Sequence, residues 1–235
     1  MIEKSEPGAA QYGNFINYYQ FNPASNRMTA LSDEFWTNLS KRLPENVCCL
    51  DVGCNSGELS FALCERLKSL GKNCVFLCLD IDSVLIQRSI ENFSFEPALT
   101  FKTLDITNVE DQKEITNFLG KWGKLNFDLI FCFSTTLWIH INYGDDVLLN
   151  TIKYLCGMTN NLVIEPQAWK SYRQAVRRVR KLAKNIFDDK FSQLKIRSDV
   201  VDVIGKIISE AGFELHEVGV SEWKRQILVC EKRYP

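Results

Sequence analysis

Residues 47–57 read Val-Cys-Cys-Leu-Asp-Val-Gly-Cys-Asn-Ser-Gly, and this stretch decides the fold. The apolar run at 47–50 predicts a buried strand. Gly53 and Gly57 permit positive φ angles and a close backbone approach where the chain turns into a helix. Open α/β sheets bind ligands at the carboxyl ends of their strands, so we expect a binding loop here. The spacing Gly-x-x-x-Gly differs from the Gly-x-Gly-x-x-Gly of dinucleotide-binding folds, which makes a dinucleotide the weaker candidate ligand.

Downstream of this loop, short apolar runs alternate with amphipathic stretches, as in a doubly wound parallel sheet. The apolar runs predict seven strands, at residues 47–52, 74–80, 99–104, 127–133, 162–165, 213–219 and 226–231. The amphipathic stretches predict helices at residues 57–70, 83–92, 110–121, 145–157, 169–186 and 199–211. Too few residues join the last two strands for a crossover helix, so we expect these strands to pair antiparallel. A seven-stranded, mostly parallel sheet with an antiparallel strand near its end is the α/β fold of class I, Rossmann-like methyltransferases.

Composition and charge narrow the class of protein. The 235 residues are 46% hydrophobic and 24% charged, which suits one globular domain. There is no signal peptide and no run of about 18 apolar residues, so we expect a soluble, cytoplasmic protein that makes no membrane contact. A net charge of -1 leaves nucleic-acid binding to a local patch, and we expect no DNA partner. The cysteines form no Cys-x-x-Cys pair, so we expect no metal. We expect a monomer.

Residues 1–46 precede the first predicted strand and are rich in Tyr, Phe and Asn, above all at 12–22. Aromatic side chains in such a segment either pack against the core or cover a site. We therefore expect an N-terminal aromatic arm or lid over residues 1–46 and a methyltransferase domain over residues 47–235.

Acidic residues stand at the ends of successive predicted strands. Asp51 lies in the loop, and Asp80 ends the second strand, where a carboxylate can accept hydrogen bonds from both ribose hydroxyls of a nucleoside. Asp105 follows the third strand and can accept from an adenine amino group, with Ile106 covering the ring. One such acid alone is as readily a helix cap. Three in register favour a nucleoside cofactor, S-adenosylmethionine.

The segment after the fourth predicted strand argues against methylation of a nucleobase. Residues 134–140 read Ser-Thr-Thr-Leu-Trp-Ile-His, without the Asn/Asp-Pro-Pro-aromatic tetrapeptide of enzymes that methylate base amino groups. The chain also contains no Pro-Cys pair to supply the nucleophile used at pyrimidine carbon 5.

Several motifs together resemble the Bicoid-interacting-protein-3 family of RNA phosphate methyltransferases. They are Tyr-Gly-Asn-Phe at 12–15, the loop at 51–57, Leu-Asp-Ile-Asp at 79–82, Trp-Ile-His-Ile-Asn at 138–142, Gly-Asp at 144–145, and Glu-Pro-Gln-Ala-Trp at 165–169 followed by Tyr172. The resemblance runs from about residue 11 to the end of the chain. The chain is short and contains the arginine-rich segment 173–182, and in both features it resembles the compact branch of the family. That branch methylates the 5′-monophosphate of RNA.

This resemblance implies a cofactor site and a substrate. It implies that S-adenosylmethionine is lined by Arg27, Asn55, Asp80, Asp105, Ile106 and Phe133. Together with the loop, the predicted cofactor-binding residues are Arg27, Asp51, Gly53, Asn55, Gly57, Asp80, Asp105, Ile106 and Phe133. The implied partner is RNA with a 5′-monophosphate end, such as histidine transfer RNA or a microRNA precursor. Ala168 departs from the family's usual proline, which removes a stiffening ring without removing a polar contact.

A terminal monophosphate has a second pKa of roughly 6, so near pH 7 it offers an anionic oxygen without a general base. The enzyme then gains rate mainly by holding that oxygen in line with the methyl group. Neutral donors suit this better than a ring of arginines, which would lower the nucleophilicity of the oxygen. The predicted catalytic residues are Tyr12, Asn14, His140 and Gln167, as neutral donors that bind the phosphate, and Glu165, which orients a donor or fixes this group of donors. From the residues alone, two alternatives stay open: His140 is a core histidine, and Glu165 is a strand-end acid without a special role.

The predicted helix 169–186 carries cations on one side and apolar residues on the other. Three- and four-residue spacings relate Arg173, Arg177, Arg180, Lys181 and Lys184, while Tyr172, Val176, Val179 and Ala183 share the opposite face. We predict that the cationic side binds the RNA backbone and that Trp169 and Tyr172 stack on the terminal base. A solvated surface and plain core aromatics are the alternatives. The predicted RNA-binding residues are Trp169, Lys170, Tyr172, Arg173, Arg177, Arg180 and Lys181.

Two other functions stay open on the sequence. A methyltransferase for a small molecule or a protein would turn over without RNA. An RNA-binding protein of the same fold with weak catalysis would bind RNA without efficient transfer, although the intact Asn55, Asp80 and Asp105 weigh against it.

Overall fold

A seven-stranded sheet in the order β3-β2-β1-β4-β5-β7-β6 forms the centre of the protein. The computed structural model describes residues 11–182 and 188–233, and only the backbone of residues 181, 182 and 188. The strands are β1 (Asn46–Val52), β2 (Asn73–Asp80), β3 (Leu99–Thr103), β4 (Leu129–Phe133), β5 (Asn161–Glu165), β6 (Phe213–Val220) and β7 (Gln226–Lys232). The first five run parallel, and β7 pairs antiparallel with both β5 and β6. The predicted class I, Rossmann-like α/β fold and the antiparallel pairing of the last two strands are confirmed.

The helices separate into those that the sequence predicted and those that it did not. The predicted helices are α4 (Glu58–Ser69), α5 (Ser83–Phe93), α6 (Val109–Lys121), α8 (Asp145–Gly157), α9 (Trp169–Leu182) and α11 (Val200–Glu210). The others are α1 (Tyr18–Phe21), α2 (Ala24–Ala30), α3 (Asp33–Arg42), α7 (Thr136–Tyr143) and α10 (Asp188–Gln193). Residues 183–187 of the predicted helix 169–186 lie outside the described residues. None of the helices described is long and apolar enough to cross a membrane.

The sequence analysis did not predict helix α7, because most of its residues are buried and they lie on all sides of the helix. A helix without a polar face has no 3.6-residue hydrophobic period from which to predict it. The strand predicted at 127–133 begins two residues later, since Phe127 forms only an isolated bridge with Thr159.

Alternate residues of each central strand point to opposite faces of the sheet, as the pleat of a strand requires. In β1, Cys48 and Leu50 enter the cluster that includes Ile130 and Ile204, whereas Cys49 enters the cluster that includes Trp36. All nine cysteines are buried and unbridged. They act as small hydrophobic residues in a two-sided core.

The end of α2 lies in close contact with the far edge of the sheet. Gly219 lies where the pairing of β6 with β7 is irregular. A Cβ atom there would lie 2.0 Å from the carbonyl oxygen of Ala30, the last residue of α2. The absence of a side chain at 219 therefore sets how closely α2 approaches the sheet. The assignment of residues 1–46 as a lid stays a prediction.

We predict that Gly219→Ala destabilises the protein, because the added methyl group must displace backbone rather than a flexible side chain. The expected cost is about 1–3 kcal/mol, measured by urea and thermal unfolding. Gly205→Ala in α11 is the matched control: its Cβ would meet only Leu215 Cδ2 at 3.5 Å. Alanine favours a helix over glycine by up to about 1 kcal/mol, so that variant should keep or gain stability. Equal stability of the two variants would mean that α2 is not held at Gly219.

Candidate active site

A cavity of about 380 Å³ opens at the edge of the sheet where the parallel strands end. Its wall contains the ends of β1, β2 and β4, the segment after β3, and residues of the N-terminal arm. The carboxyl ends of parallel strands meet at one edge of the sheet. A crevice forms there where the connections from neighbouring strands lead to helices on opposite faces of the sheet. The cavity therefore lies where the sequence predicted a ligand.

The loop after β1 owes its shape to glycine. Gly53 has a φ of +78°, and a Cβ atom there would lie 2.5 Å from Thr135 Oγ1. Gly57 has a φ of +87° and is the N-cap residue of α4, but it does not line the cavity. The prediction that Gly57 contacts the cofactor is therefore wrong. A side chain at Gly57 would meet Phe101 at 2.9 Å, so Gly57 serves helix packing.

Two acids lie at the base of the cavity. Asp80 accepts hydrogen bonds from the backbone N–H groups of Asn55 (2.9 Å) and Asp82 (3.0 Å). Burial raises the pKa of Asp80, and these donors oppose the shift. Burial also raises the pKa of Asp51 to about 6, against the hydrogen bond that it accepts from Ser60 Oγ at 2.5 Å. Asp80 thus keeps a defined orientation with its carboxylate at the cavity wall.

The third acid is held equally firmly. Asp105 accepts from the hydroxyl of Tyr143 at 2.6 Å through Oδ2 and from Thr107 through Oδ1. Ile106 supplies buried apolar wall next to Asp105, and Phe133 supplies it at the end of β4, with its ring centroid 5.6 Å from the guanidinium carbon of Arg27. The predicted cofactor residues that line this one cavity are Arg27, Asp51, Gly53, Asn55, Asp80, Asp105, Ile106 and Phe133. Their individual binding roles stay predictions.

The N-terminal arm lines the cavity and is hydrogen-bonded to residues near its acidic side. Asn14 Nδ2 donates to Asp82 Oδ2 at 2.5 Å, and Asn55 Nδ2 donates to the carbonyl of Phe15 at 3.3 Å. Tyr12 is exposed. Tyr12, Asn14 and Gln167 all line the cavity, and Asn14 is hydrogen-bonded to Asp82. The structure therefore brings these three predicted residues to one cavity, whereas His140 does not line it.

The other side of the cavity is built around a buried ion pair. Arg27 Nη2 lies 3.0 Å from Glu165 Oε2, and both side chains are at most 2% exposed. The same nitrogen donates to Tyr18 and to Ser134 Oγ at 2.8 Å. Burial lowers the pKa of Arg27, but Tyr18 and Glu165 outweigh it and raise the pKa. Glu165 does not line the cavity, so it orients Arg27 rather than touching a ligand.

Gln167 is a predicted catalytic donor that the structure leaves available. Its Oε1 accepts from Thr136 Oγ1 at 2.8 Å and from the backbone N–H of Leu137 at 3.1 Å. Within the described part of the chain its Nε2 has no partner, and Gln167 lines the cavity. The amide oxygen is therefore used to fix the side chain at the start of α7, and the amide nitrogen stays free to donate.

His140 does not contact the cavity. Its side chain is wholly buried, with Nδ1 3.1 Å from the hydroxyl of Tyr172 and Nε2 2.7 Å from Asp145 Oδ1. Asp145 also accepts from the backbone of residues 195 and 196. The prediction of His140 as a phosphate donor is therefore corrected: it is a core histidine that joins α7, α8 and the segment before α11.

The aromatic residues of α9 also belong to the core. Tyr172 is fully buried, and Trp169 stacks on Phe191 at 4.8 Å and on Tyr172 at 5.1 Å. These contacts occupy both rings, so the prediction that Trp169 and Tyr172 stack on the terminal base of the RNA is wrong. The exposed residues of α9 are Lys170, Arg173, Gln174, Arg177, Arg178 and Arg180. The side chain of Lys181 and all of Ala183 and Lys184 lie outside the described residues.

Ser134, Arg178, Trp223 and Arg225 are among the polar and aromatic residues of the cavity wall that sequence reasoning missed. Ser171, Gln174 and Arg178 recur at three- and four-residue spacings, so the face of α9 beside its basic stripe looks into the cavity. That spacing was a usable signal. Trp223 and Arg225 come from the turn between β6 and β7, and nothing local to a hairpin turn shows where it will lie.

One cluster outside the cavity has metal-ligand chemistry. Cys64, Glu65 and Glu96 place ligand atoms within 4.8 Å of one another. Lys68 Nζ donates to both carboxylates. A cation is thus already present in the cluster, and the expectation of no metal is unchanged.

Comparison with known proteins gives consistent results. Residues 127–232 match the family Bicoid-interacting protein 3, and residues 50–156 match a general methyltransferase domain. A Xenopus laevis protein named pre-miRNA 5′-monophosphate methyltransferase is 39% identical, covering 98% of this chain and 96% of its own. The Homo sapiens RNA 5′-monophosphate methyltransferase is 41% identical, covering 95% and 81%.

Solved structures support the fold alone. The methyltransferase domain of the citrinin polyketide synthase superimposes with a TM-score of 0.62 at 16% identity, covering 94% of this chain and 56% of that chain. The N-methyltransferase NodS from Bradyrhizobium japonicum WM9 gives 0.52 at 14% identity, covering 92% and 99%.

The burial of His140 predicts a pH dependence of stability. Burial lowers its pKa, against the opposing hydrogen bond to Asp145. The stability contributed by the neutral ring is complete above the unfolded pKa of about 6.5 and is lost below it, because the unfolded chain takes up the proton first. The pKa of Asp145 is itself lowered by His140, despite its partial burial, so Asp145 does not titrate in this window.

The free energy of unfolding should therefore fall more steeply from pH 7.5 to pH 5.5 for the natural protein than for His140→Gln. The difference should approach about 1 kcal/mol per pH unit, measured by urea unfolding at each pH. The exposed His216 and the buried Asp51 are present in both proteins and cancel. Parallel slopes would mean that the pKa of His140 is the same in the folded and unfolded protein, and a shallower fall for the natural protein would mean that the fold holds His140 protonated against Asp145.

Proposed function

This chain belongs to the Bicoid-interacting protein 3 family and is an S-adenosylmethionine-dependent methyltransferase, and we propose that it methylates the 5′-terminal monophosphate of RNA. The observation that carries the proposal is the similarity to RNA 5′-monophosphate methyltransferases over at least 95% of the chain. The cavity fits this chemistry. It has acids at one end, where a nucleoside would be held, and guanidinium groups at the other, where anions would be held.

Each end of the cavity has a distinct part in the proposed reaction. Asp80 and Asp105 would hold the ribose and adenine of S-adenosylmethionine, which supplies an electrophilic methyl group on its sulfonium. Arg27, fixed by Glu165, would hold the carboxylate of the same cofactor. A phosphate oxygen of the RNA would form the new bond to the methyl carbon as the carbon–sulfur bond breaks, and S-adenosylhomocysteine would leave with the electron pair.

The protein need not remove a proton in this reaction. With a second pKa of roughly 6, the monophosphate is mainly a dianion at neutral pH. Positioning then supplies the rate, through the free amide nitrogen of Gln167 and the cations of the cavity. His140 is buried away from the site and serves to hold α7, which carries the wall residues Leu137 and Trp138.

The RNA body would extend over the exposed side of α9. Lys170, Arg173 and Arg177 are exposed there, one turn or less from the wall residues Ser171, Gln174 and Arg178. Backbone phosphates are recognised by such cations without regard to sequence. We propose histidine transfer RNA and microRNA precursors as the substrates, since both present a 5′-monophosphate next to a base-paired stem.

The test is methyl transfer to one RNA prepared with a 5′-monophosphate or a 5′-hydroxyl. With methyl-labelled S-adenosylmethionine, label should appear only on the monophosphate form and should remain on the terminal nucleotide after nuclease digestion. Asp80→Ala, which removes the ribose acceptor, is the control for cofactor-dependent transfer. Equal label on both forms would place the methyl group on a base or ribose. Label on neither would favour a small molecule or protein as acceptor, or an RNA-binding protein with weak catalysis.

The α9 surface makes a separate prediction. The double change Arg173→Glu and Arg177→Glu should weaken binding of both RNA forms about equally, since it removes backbone contacts. The slope of log affinity against log salt concentration should fall by roughly 1.5, at 0.7–0.9 for each phosphate contact. Lys113→Glu with Lys121→Glu on α6 changes the net charge equally at another exposed surface. Equal effects of the two double substitutions would mean that α9 contributes to RNA binding only through the net charge of the protein.

A further inference from the structure

Arg225 has unmet hydrogen-bonding capacity inside the cavity. It lies in the turn between β6 and β7, and its Nη1 donates to Ser134 Oγ at 2.8 Å. Its guanidinium carbon lies 5.4 Å from the ring centroid of Trp223. Its Nε is fully buried and has no hydrogen-bond partner within residues 11–182 and 188–233. A buried N–H without a partner costs free energy, so a ligand that accepts from it would be stabilised.

The charges around Ser134 do not balance. Arg27 and Arg225 both donate to Ser134 Oγ, and Glu165 is the carboxylate that accepts from this hydroxyl, at 2.5 Å. Glu165 pairs with Arg27, and in the described part of the chain no carboxylate lies within ion-pair distance of Arg225. The second oxygen of Glu165 is also without a partner, yet a shift that joined it to Arg225 would still leave two guanidinium groups for one carboxylate. The site therefore has one surplus positive charge.

That surplus charge is not relieved by deprotonation. Burial lowers the pKa of Arg225, but an arginine in a protein stays protonated throughout the physiological range. Uncompensated charge in a desolvated cavity is costly, and such groups concentrate where a charged ligand binds. The ligand expected here is an anion.

A second cation stands at the open side of the same wall. Arg178 is exposed, lines the cavity one turn from Gln174, and places its guanidinium 6.0 Å from the ring centroid of Phe15 in the arm. Its neighbour Arg177 is also exposed but does not line the cavity. Helix geometry thus separates an arginine that can reach a ligand in the cavity from one that faces away.

We propose that Arg225 and Arg178 bind the 5′-terminal phosphate of the RNA and that they account for the preference for a phosphorylated end. The assignment rests on the proposed function. A phosphate monoester carries two negative charges and three terminal oxygens, and a guanidinium fork engages two of them. The third oxygen remains available to the methyl group. Arg27, whose charge Glu165 already meets, is left for the carboxylate of the cofactor.

The experiment compares Arg225→Met, Arg178→Met and Arg177→Met with the natural protein. RNA affinity is measured for matched 5′-monophosphate and 5′-hydroxyl RNAs in the presence of S-adenosylhomocysteine. Cofactor binding is measured with S-adenosylhomocysteine and with 5′-methylthioadenosine, which lacks the carboxylate. Arg225→Met should reduce the ratio of 5′-monophosphate to 5′-hydroxyl affinity by about tenfold or more, as expected for charge-assisted hydrogen bonds. Its affinity for S-adenosylhomocysteine should stay within about twofold.

The other variants sharpen the result. Arg178→Met should reduce the same ratio by a smaller factor because its side chain is exposed. Arg177→Met should weaken both RNAs alike and keep the ratio. If Arg225→Met does not fold, as judged by circular dichroism, Arg225→Lys takes its place. It keeps the charge but loses the two-pronged geometry, and it should lower the ratio in part.

Two results would overturn the assignment. One is an unchanged affinity ratio in the Arg225 variant. The other is a loss of S-adenosylhomocysteine binding with methylthioadenosine binding retained, which would place the cofactor's carboxylate at Arg225. A natural protein that neither prefers nor methylates the 5′-monophosphate RNA would instead overturn the proposed function itself.

Discussion

The buried contact between Arg27 and Glu165 is the constraint on which the site depends. It joins α2 of the N-terminal arm to the end of β5, two elements far apart in the sequence. Ser134, in a left-handed conformation at the end of β4, donates to the same carboxylate oxygen. Breaking a buried pair leaves an uncompensated charge, so the arm is held to the sheet by electrostatics as well as by apolar packing.

This arrangement gives the cavity two chemically different ends. Asp80 and Asp105 accept hydrogen bonds at one end, while Arg27 and Arg225 present donors at the other. The sequence analysis predicts neutral donors around the reacting phosphate, because cations reduce the nucleophilicity of an oxygen. The structure instead brings arginines to the wall. The two arguments are compatible if the guanidinium groups engage the oxygens that do not react and leave one free.

The motif that resembles a catalytic signature proves to be partly architectural. In Trp-Ile-His at 138–140, Trp138 lines the cavity and packs against Gly13, where a Cβ atom would lie 2.2 Å from its ring. His140 lies on the buried side of the same helix and is held by Asp145 and Tyr172. His140 therefore has a structural role. The residue type indicated chemistry, but burial decided its role.

From the sequence alone, the strand order along the chain, the loop at 51–57 and the acids Asp51, Asp80 and Asp105 could be placed, because each depends on a local pattern of apolar runs, glycines and strand ends. Tertiary structure alone decided that His140 is buried, that Gly57 faces away from the cavity, and that the β6–β7 turn brings Arg225 to Ser134. These outcomes depend on contacts between residues as many as 91 positions apart. Periodicity and spacing describe neighbours in the chain, whereas burial and charge balance depend on neighbours in space.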